Sequence, residues 1–389
     1  MVVFRGSPSG GQEFVSQLST PASGRRATPQ LSVRAVRTRA VRSPMRRPLL
    51  TSVGSVSAAP LVLIDVETDQ GITGHSYLFC YLDAVSPLIQ RALEILLPSL
   101  VGQLVEPAEL RRRASQSLQL LGADGVFGLC LSGLDVAYWD ALAKAANLPL
   151  CRFLGGSPGR IQAYNSNGLG VMSPEAAASE ALELIDEGYH AIKVRLGHSA
   201  PERDLAVVRA IRAKIPSGAL LMSDYNHCLT TPEAIRRAGM LDDEGLYWIE
   251  EPTAPDDFRG NAEVARSVST PIQIGENFRT LREMQAAIDQ RACDLVMLDL
   301  ERIGGVTGWL KAAAIAETSG LPMSSHLFPE VSSHLMMVTP TNHWLEYVDW
   351  AEPILSEPLV LKNGYAIAPE RAGNGLSWDE DAVRLYAAD

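Results

Sequence analysis

ALLMSD (219–224), LYWIE (246–250) and PIQIGE (271–276) are three short apolar runs, each closed by an acid: Asp224, Glu250 and Glu276. The acids fall 26 residues apart, about the length of one strand, one loop and one returning helix. Units of that size, repeated, build a closed parallel barrel whose chemistry lies at the C-terminal ends of its strands. Three acids at consecutive strand ends converge on one point. An all-oxygen cluster of this kind suits a hard divalent cation, and Mg²⁺ is the ion expected.

The same period extends in both directions. Strands are expected over IQAYNS (161–166), HAIKVRL (190–196), DLVMLD (294–299), PMSSHL (322–327) and HWLEYV (343–348). The runs 174–188, 204–215 and 307–320 between them have helical spacing. Eight strands at such intervals favour a (β/α) barrel over a doubly wound sheet. Upstream, LSVRAVRTRAV alternates like a strand, and PLVLIDVETDQGITGHSYLF reads as two strands around an Asp-Gln-Gly turn. From 84 to 146 the spacing turns helical. The expected organisation is an α+β capping domain over residues 31–155 and a barrel catalytic domain over 156–357. A C-terminal return over 358–389 includes a hairpin in PLVLKNGYAIAPE that goes back to the cap.

Composition sets the outer bounds. The chain has 389 residues, 46% hydrophobic, which suits a barrel plus one appendage. No apolar stretch reads as a bilayer span, so no membrane association is expected. Residues 1–47 hold nine arginines against the single acid Glu13, leaving −19 of the total −11 on the rest. An acidic body argues against nucleic acid as partner. Residues 1–30 lack a secretory apolar core and read as a disordered or spurious extension. Cys80, Cys130, Cys151, Cys228 and Cys293 are scattered, odd in number and never CxxC. Reduced thiols and a cytoplasmic location are the expectation.

Further polar residues fall on the strand ends. Lys193 and Arg195 are two apart on one strand and so share a face, and lysine is scarce, with only five in the chain. A cationic pair inside a barrel needs anionic company, which the acids and an anionic substrate supply. Asp299 and His326 close neighbouring strands. A carboxylate that orients an imidazole is a common way to build a general base. Glu346 closes the eighth strand. By contrast His227, His334 and His343 read as ordinary surface or core histidines. A metal, a cation pair, an Asp–His unit and a spare carboxyl together suit removal of the weakly acidic hydrogen beside a carboxylate.

On the motifs APLVLID, GHSYLF, AIKVRLG, SDYN, WIEEPT, GEN, IGGVTGW and PMSSHLF, the chain from about residue 31 onward resembles the enolase superfamily, in particular its mandelate racemase-like members. The resemblance implies a modified TIM barrel, (β/α)7β, under an α+β cap. It implies Asp224, Glu250 and Glu276 as Mg²⁺ ligands, and Asp299–His326 as the base for one face of the substrate. Glu346 is then the electrophilic acid, Lys193 and Ser166 touch the substrate carboxylate, and Asn226 lies beside the metal and the substrate hydroxyl. Leu49, Val53, Val56 and Tyr81 match the apolar wall that a capping loop raises around an aromatic ring. A homo-oligomer is implied as well.

One position departs from the pattern. Racemases of this family carry Lys-x-Lys, whose second lysine is the opposite-face base; this chain has Arg195 there. A guanidinium, with an ordinary pKa above about 12, is a poor base near neutrality. Arg195 favours acid-sugar dehydration by His326, the alternative, whereas the apolar capping loop and the whole-chain similarity favour the expected function, a 2-hydroxy-acid racemase of mandelate type. A barrel retained only for binding or structure is the third reading, and the complete acid set argues against it.

Overall fold

The computed structural model describes residues 30–388, so the expected extension before residue 30 lies outside the described residues. The chain opens with an antiparallel sheet of β1 (Val33–Leu50), β2 (Ser55–Thr68) and β3 (Thr73–Phe79). Alternation along β2 divides two cores. Val62, Ile64 and Val66 pack with Ile89, Leu93, Leu134 and Tyr138, whereas Ala59, Leu61 and Leu63 join the core that includes the barrel residues. A strand buried on both faces reads as the continuous apolar run PLVLI, since neither side meets water.

Three helices cover the outer face of this sheet: α1 (Ser86–Leu96), α2 (Pro107–Ser117) and α3 (Val126–Ala145). By length and composition α3 qualifies as a bilayer span, contrary to the sequence reading, but 67% of the relevant window is buried within the protein. It is the cap's central helix, carrying Asp135, Asp140 and Lys144 into polar contacts.

After the short α4 (Leu150–Phe153), eight parallel strands follow: β4 (Arg160–Asn165), β5 (Ala191–Arg195), β6 (Leu220–Asp224), β7 (Ile249–Glu250), β8 (Ile272–Ile274), β9 (Leu295–Asp299), β10 (Met323–His326) and β11 (Leu345–Tyr347). Each strand pairs with the next from β4 to β10, and β11 pairs with β4. Backbone bonds from His343 N–H to Met323 O (2.9 Å) and from Ser325 N–H to Trp344 O (3.0 Å) close the ring. The intervening helices are α5 (Pro174–Asp186), α6 (Pro201–Lys214), α7 (Thr231–Leu241), α8 (Phe258–Ser267), α9 (Leu281–Asp289), α10 (Gly305–Ser319) and α11 (Pro329–Met336). Seven helices and eight strands make the expected (β/α)7β barrel. The strand runs were read correctly, although β7, β8 and β11 cover no more than half of their expected segments.

The C-terminal hairpin differs from expectation. β12 (Val360–Lys362) and β13 (Tyr365–Ile367) attach to the barrel, β13 pairing antiparallel with β4. Only the last residues, beyond α12 (Glu380–Leu385), reach the cap, where Ala388 N–H donates to Ala40 O at 2.9 Å. Edge strand β13 satisfies backbone groups at the start of β4, a need that the hairpin's own sequence does not reveal.

The β1–β2 ribbon extends past the cap sheet and lies on the barrel mouth. Its tip is a tight Thr51–Gly54 turn, with Thr51 Oγ1 accepting from Gly54 N–H at 3.0 Å. Val171 N–H donates to Leu50 O at 3.1 Å. A Cβ at Gly170 would fall 2.6 Å from that same oxygen, so only glycine admits the ribbon this close.

Candidate active site

The barrel register delivers the expected ring. Arg195 stands beside Asp224, Asp224 beside Glu250, and Asp299 beside His326 in neighbouring strands. Glu276 follows β8 directly, and Glu346 lies in β11. Oxygens of Asp224, Glu250 and Glu276 fall within 4.8 Å of one another, all buried.

The donor set fits a hard divalent cation on its own chemistry: three carboxylates, no sulfur, and more negative charge than the protein offsets. Lys193, 1% exposed, donates to Glu250 and to Glu346 Oε1 (2.8 Å), and lies 3.4 Å from Asp224. One ammonium cannot neutralise so many acids. Burial first, then crowding by Asp224, Glu346 and Glu276, pushes Glu250 up to about 8 against the pull of Lys193. Trp248 Nε1 and Gln273 Nε2 hold Glu250's other oxygen at 2.9 and 3.1 Å. Asn226, at φ +44, binds Asp224 through its backbone and side-chain N–H groups at 2.7 and 2.9 Å, leaving its buried Oδ1 without a partner.

His326 Nδ1 lies 2.7 Å from Asp299, so its Nε2 is turned inward, 3.3 Å from Glu276 and 3.9 Å from Glu346. Burial opposes the imidazolium, but Glu276, Glu346 and Asp299 outweigh it and raise His326 to about 9. Glu346 accepts from Lys193 and, at 2.8 Å, from Leu327 N–H. Burial alone would raise its pKa; Lys193 and His326 instead hold it down to about 2. In this arrangement Glu346 is an ionised acceptor, held by Lys193 and Leu327 N–H.

Two further residues depart from expectation. Ser166 does not line the cavity: its hydroxyl and carbonyl accept from Arg195 at 3.1 Å each, with Gly168 O taking another N–H at 3.0 Å. Ser166 therefore supports the arginine instead of reaching a substrate carboxylate. Arg195 is 4% exposed, has no carboxylate partner, and keeps a buried Nε–H unpaired.

These groups surround a cavity of about 320 Å³. Leu49, Val53, Val56 and Tyr81 form its cap-side wall as expected, joined by Leu82, Leu327 and Trp350. His227 was misread as an ordinary histidine. It lines the cavity, its Nε2 3.0 Å from Glu276 and its Nδ1 3.2 Å from Glu251. Burial disfavours its charge, but these two acids raise it to about 11. Together His326, His227 and Arg302 keep Glu276 well below the usual carboxylate range, against its burial. Its place just after the SDYN strand end was the available signal. Asn277 and Arg302 were also missed. Arg302 donates to Glu276 O (3.0 Å), Asn277 Oδ1 (2.9 Å) and the Tyr81 hydroxyl (2.5 Å). His334 is a buried core group and His343 a half-buried one, paired with the Tyr247 hydroxyl at 2.9 Å; both stand apart from the site, as expected.

Known proteins resemble this chain over most of their length. Residues 33–155 match the mandelate racemase/muconate lactonizing enzyme N-terminal domain, and residues 176–382 the enolase C-terminal domain-like family. An enolase from alpha pretobacterium bal199, solved with bound Mg, superposes with a TM-score of 0.90 at 44% identity, covering 92% of this chain and 100% of that one. A Bradyrhizobium enolase complexed with magnesium and mandelic acid gives 0.88 at 41% identity, covering 92% and 99%. L-talarate/galactarate dehydratase of Salmonella typhimurium is 32% identical over 265 residues, 68% of this chain and 67% of that protein. The wider set contains both dehydratases and racemases or epimerases. Matched in both lobes, the chain belongs to the enolase superfamily, in its mandelate racemase/muconate lactonizing enzyme branch.

Proposed function

We propose that this protein is a Mg²⁺-dependent racemase of 2-hydroxy carboxylates carrying an apolar, aryl-type substituent, as in mandelate. One observation carries the reading. His326, oriented by Asp299, shares with Lys193 and Arg195 a cavity whose cap-side wall is mainly apolar, Leu49, Val53, Val56, Tyr81 and Leu82 against the hydroxyls of Thr51 and Ser55. Sugar acids would want donors and acceptors where Leu49, Val53 and Val56 stand. The mandelic acid complex of the Bradyrhizobium relative supports the same choice.

Asp224, Glu250 and Glu276 would hold the ion, with Asn226 beside it. Bound there, Mg²⁺ supplies Lewis-acid polarisation of the substrate carboxylate and lowers the cost of charge developing on it. Lys193 Nζ is placed to donate to that carboxylate. In doing so it leaves Glu346, and the largest of the influences that depress Glu346 is relieved, so that solvent can supply it a proton. A buried carboxyl freed of its lysine takes up a proton and donates a hydrogen bond to the growing enediolate charge. His326 Nε2 exchanges the α-proton on one face. Its Nδ1–H is kept on Asp299, which fixes the tautomer and offsets the imidazolium charge. Arg195 lies on β5, three strands from β10 by way of β11 and β4, and faces the other side of a substrate held between them.

A dehydratase is the second reading, and Arg195 favours it. A guanidinium donating to three oxygens is built as a donor, which leaves His326 as the one competent base; dehydration needs only one. Incubating 2-hydroxy acids with the protein in D₂O, with Mg²⁺ or excess chelator, tests both. Metal-dependent α-deuteration of mandelate with inversion is the expected result. A 2-keto product from a sugar acid replaces racemisation by dehydration. Absence of metal-dependent exchange from every acid refutes both.

A further inference from the structure

We propose that the seam between cap helix α2 and barrel helices α9 and α10 is a binding site for a small multivalent oxyanion. The seam holds a cavity of about 450 Å³, separate from the catalytic one, lined by Arg111 of α2, Arg279 and Arg282 at the start of α9, and Lys311 of α10. Among the described residues, none of these four charged groups has a carboxylate partner. The contrast on α2 is direct. Arg112 is paired with Glu109 (Nε to Oε2, 2.6 Å) and Arg113 with Glu106 (2.8 Å), while Arg111, just before them, makes no ion pair and has Asp135 only as a more distant charge.

The nearby acids are committed or outnumbered. Glu283 caps α9, accepting from the backbone N–H groups of Arg279 (2.6 Å) and Thr280 (3.2 Å). Asp135 is buried, spent on Thr307 at 2.6 and 2.9 Å. Asp124 alone remains on the wall against four cations. Like charges gathered from two lobes repel, and among the described residues Asp124 offsets only part of them; a multivalent anion supplies the rest. Backbone shape agrees. A Cβ built at Gly304 (φ +107) would lie 3.1 Å from Arg111 Nη2, which puts that guanidinium beside the head of the 15-residue α10.

The site adjoins the catalytic cavity without being part of it. Arg111, Asp124 and Arg279 also line a second cavity of about 380 Å³, whose far wall is Tyr81 and Arg302. An anion on Arg111 from the cap and Arg279 from the barrel therefore ties the lobes together behind the substrate wall.

Calorimetric titration of the Mg²⁺-loaded protein with sulfate, inorganic phosphate and malonate tests this, with sodium chloride at matched ionic strength as control. Saturable binding of at least one of them, one per chain, is expected; which of them binds says whether a tetrahedral or a dicarboxylate anion is preferred. The double variant Arg111→Gln/Arg279→Gln weakens it by at least about tenfold. Arg209→Gln/Arg236→Gln, which removes cations already paired with acids, leaves it unchanged. These positions are on the surface, and an unaltered melting temperature without anion confirms that the variants fold. Equal heats from chloride, or binding indifferent to Arg111→Gln/Arg279→Gln, would overturn the proposal.

Discussion

Replacing Arg195 by lysine should raise proton exchange from the enantiomer whose α-hydrogen faces β5. A guanidinium has an ordinary pKa near 12.5 and an ammonium one near 10.4, so the change lowers the cost of reaching the free base by roughly 3 kcal/mol. That is about a hundredfold in the population of base. The structure sets the opposing cost. Arg195 loses bonds to Ser166 O, Gly168 O and Ser166 Oγ, and a lysine nitrogen replaces only part of that set. A buried acceptor left unpaired costs about 1–3 kcal/mol of stability, but this weighs on folding more than on the exchange step. The assay is proton NMR in D₂O on each mandelate enantiomer separately, with Mg²⁺ saturating. Wild-type protein should deuterate one enantiomer much faster than the other. Arg195→Lys should speed the slow one by roughly ten- to a hundredfold and leave the fast one within about twofold. Equal loss from both enantiomers would refute the argument and mark Arg195 as a binding residue.

His326→Asn should abolish exchange from the enantiomer that wild type handles fast, by about 10³-fold or more, while Mg²⁺ binding measured by calorimetry persists. Undiminished exchange would remove His326 from the mechanism. A pH prediction concerns the seam between the lobes, where burial pushes Asp135 up to about 7, Glu301 to about 8 and Glu330 to about 7. Each accepts a hydrogen bond across it: Asp135 from Thr307, Glu301 from Phe79 N–H (3.0 Å) and Glu330 from the Tyr77 hydroxyl (2.7 Å). Such carboxyls bind more protons folded than unfolded, so stability falls as pH climbs from the unfolded value, about 4, to about 8, and then levels off. Urea unfolding at pH 5 and pH 8.5 should show Glu330→Gln flattening that fall by an amount on the order of 1 kcal/mol or more. An unchanged slope would mean that Glu330 is ionised throughout.

Much of this site was legible in one dimension because a parallel barrel turns sequence period into spatial convergence. Each βα unit returns its strand to the same rim. Acids 26 residues apart at the ends of apolar runs therefore had to meet, and Asp299 and His326 had to be neighbours. Lys193 and Arg195 share a face for the equally local reason that side chains alternate along a strand.

What stayed hidden lies on loops and at the seam, where position depends on partners far away in the chain. His227 and Arg302 sit past strand ends with no periodic signal, and only the packed structure turns them onto Glu276 and Tyr81. Ser166 has the right strand end but faces Arg195, because a buried guanidinium without a carboxylate takes whatever oxygens are within reach. The charge state of Glu346 is likewise decided in three dimensions: its sequence neighbours are apolar, and Lys193, 153 residues away, sets its proton affinity. Residue order thus determined the barrel and which acids share it, since those follow from short-range periodicity. The protonation of each group and the orientation of the cap wall arise from long-range Coulomb and burial effects that exist only once the lobes are packed.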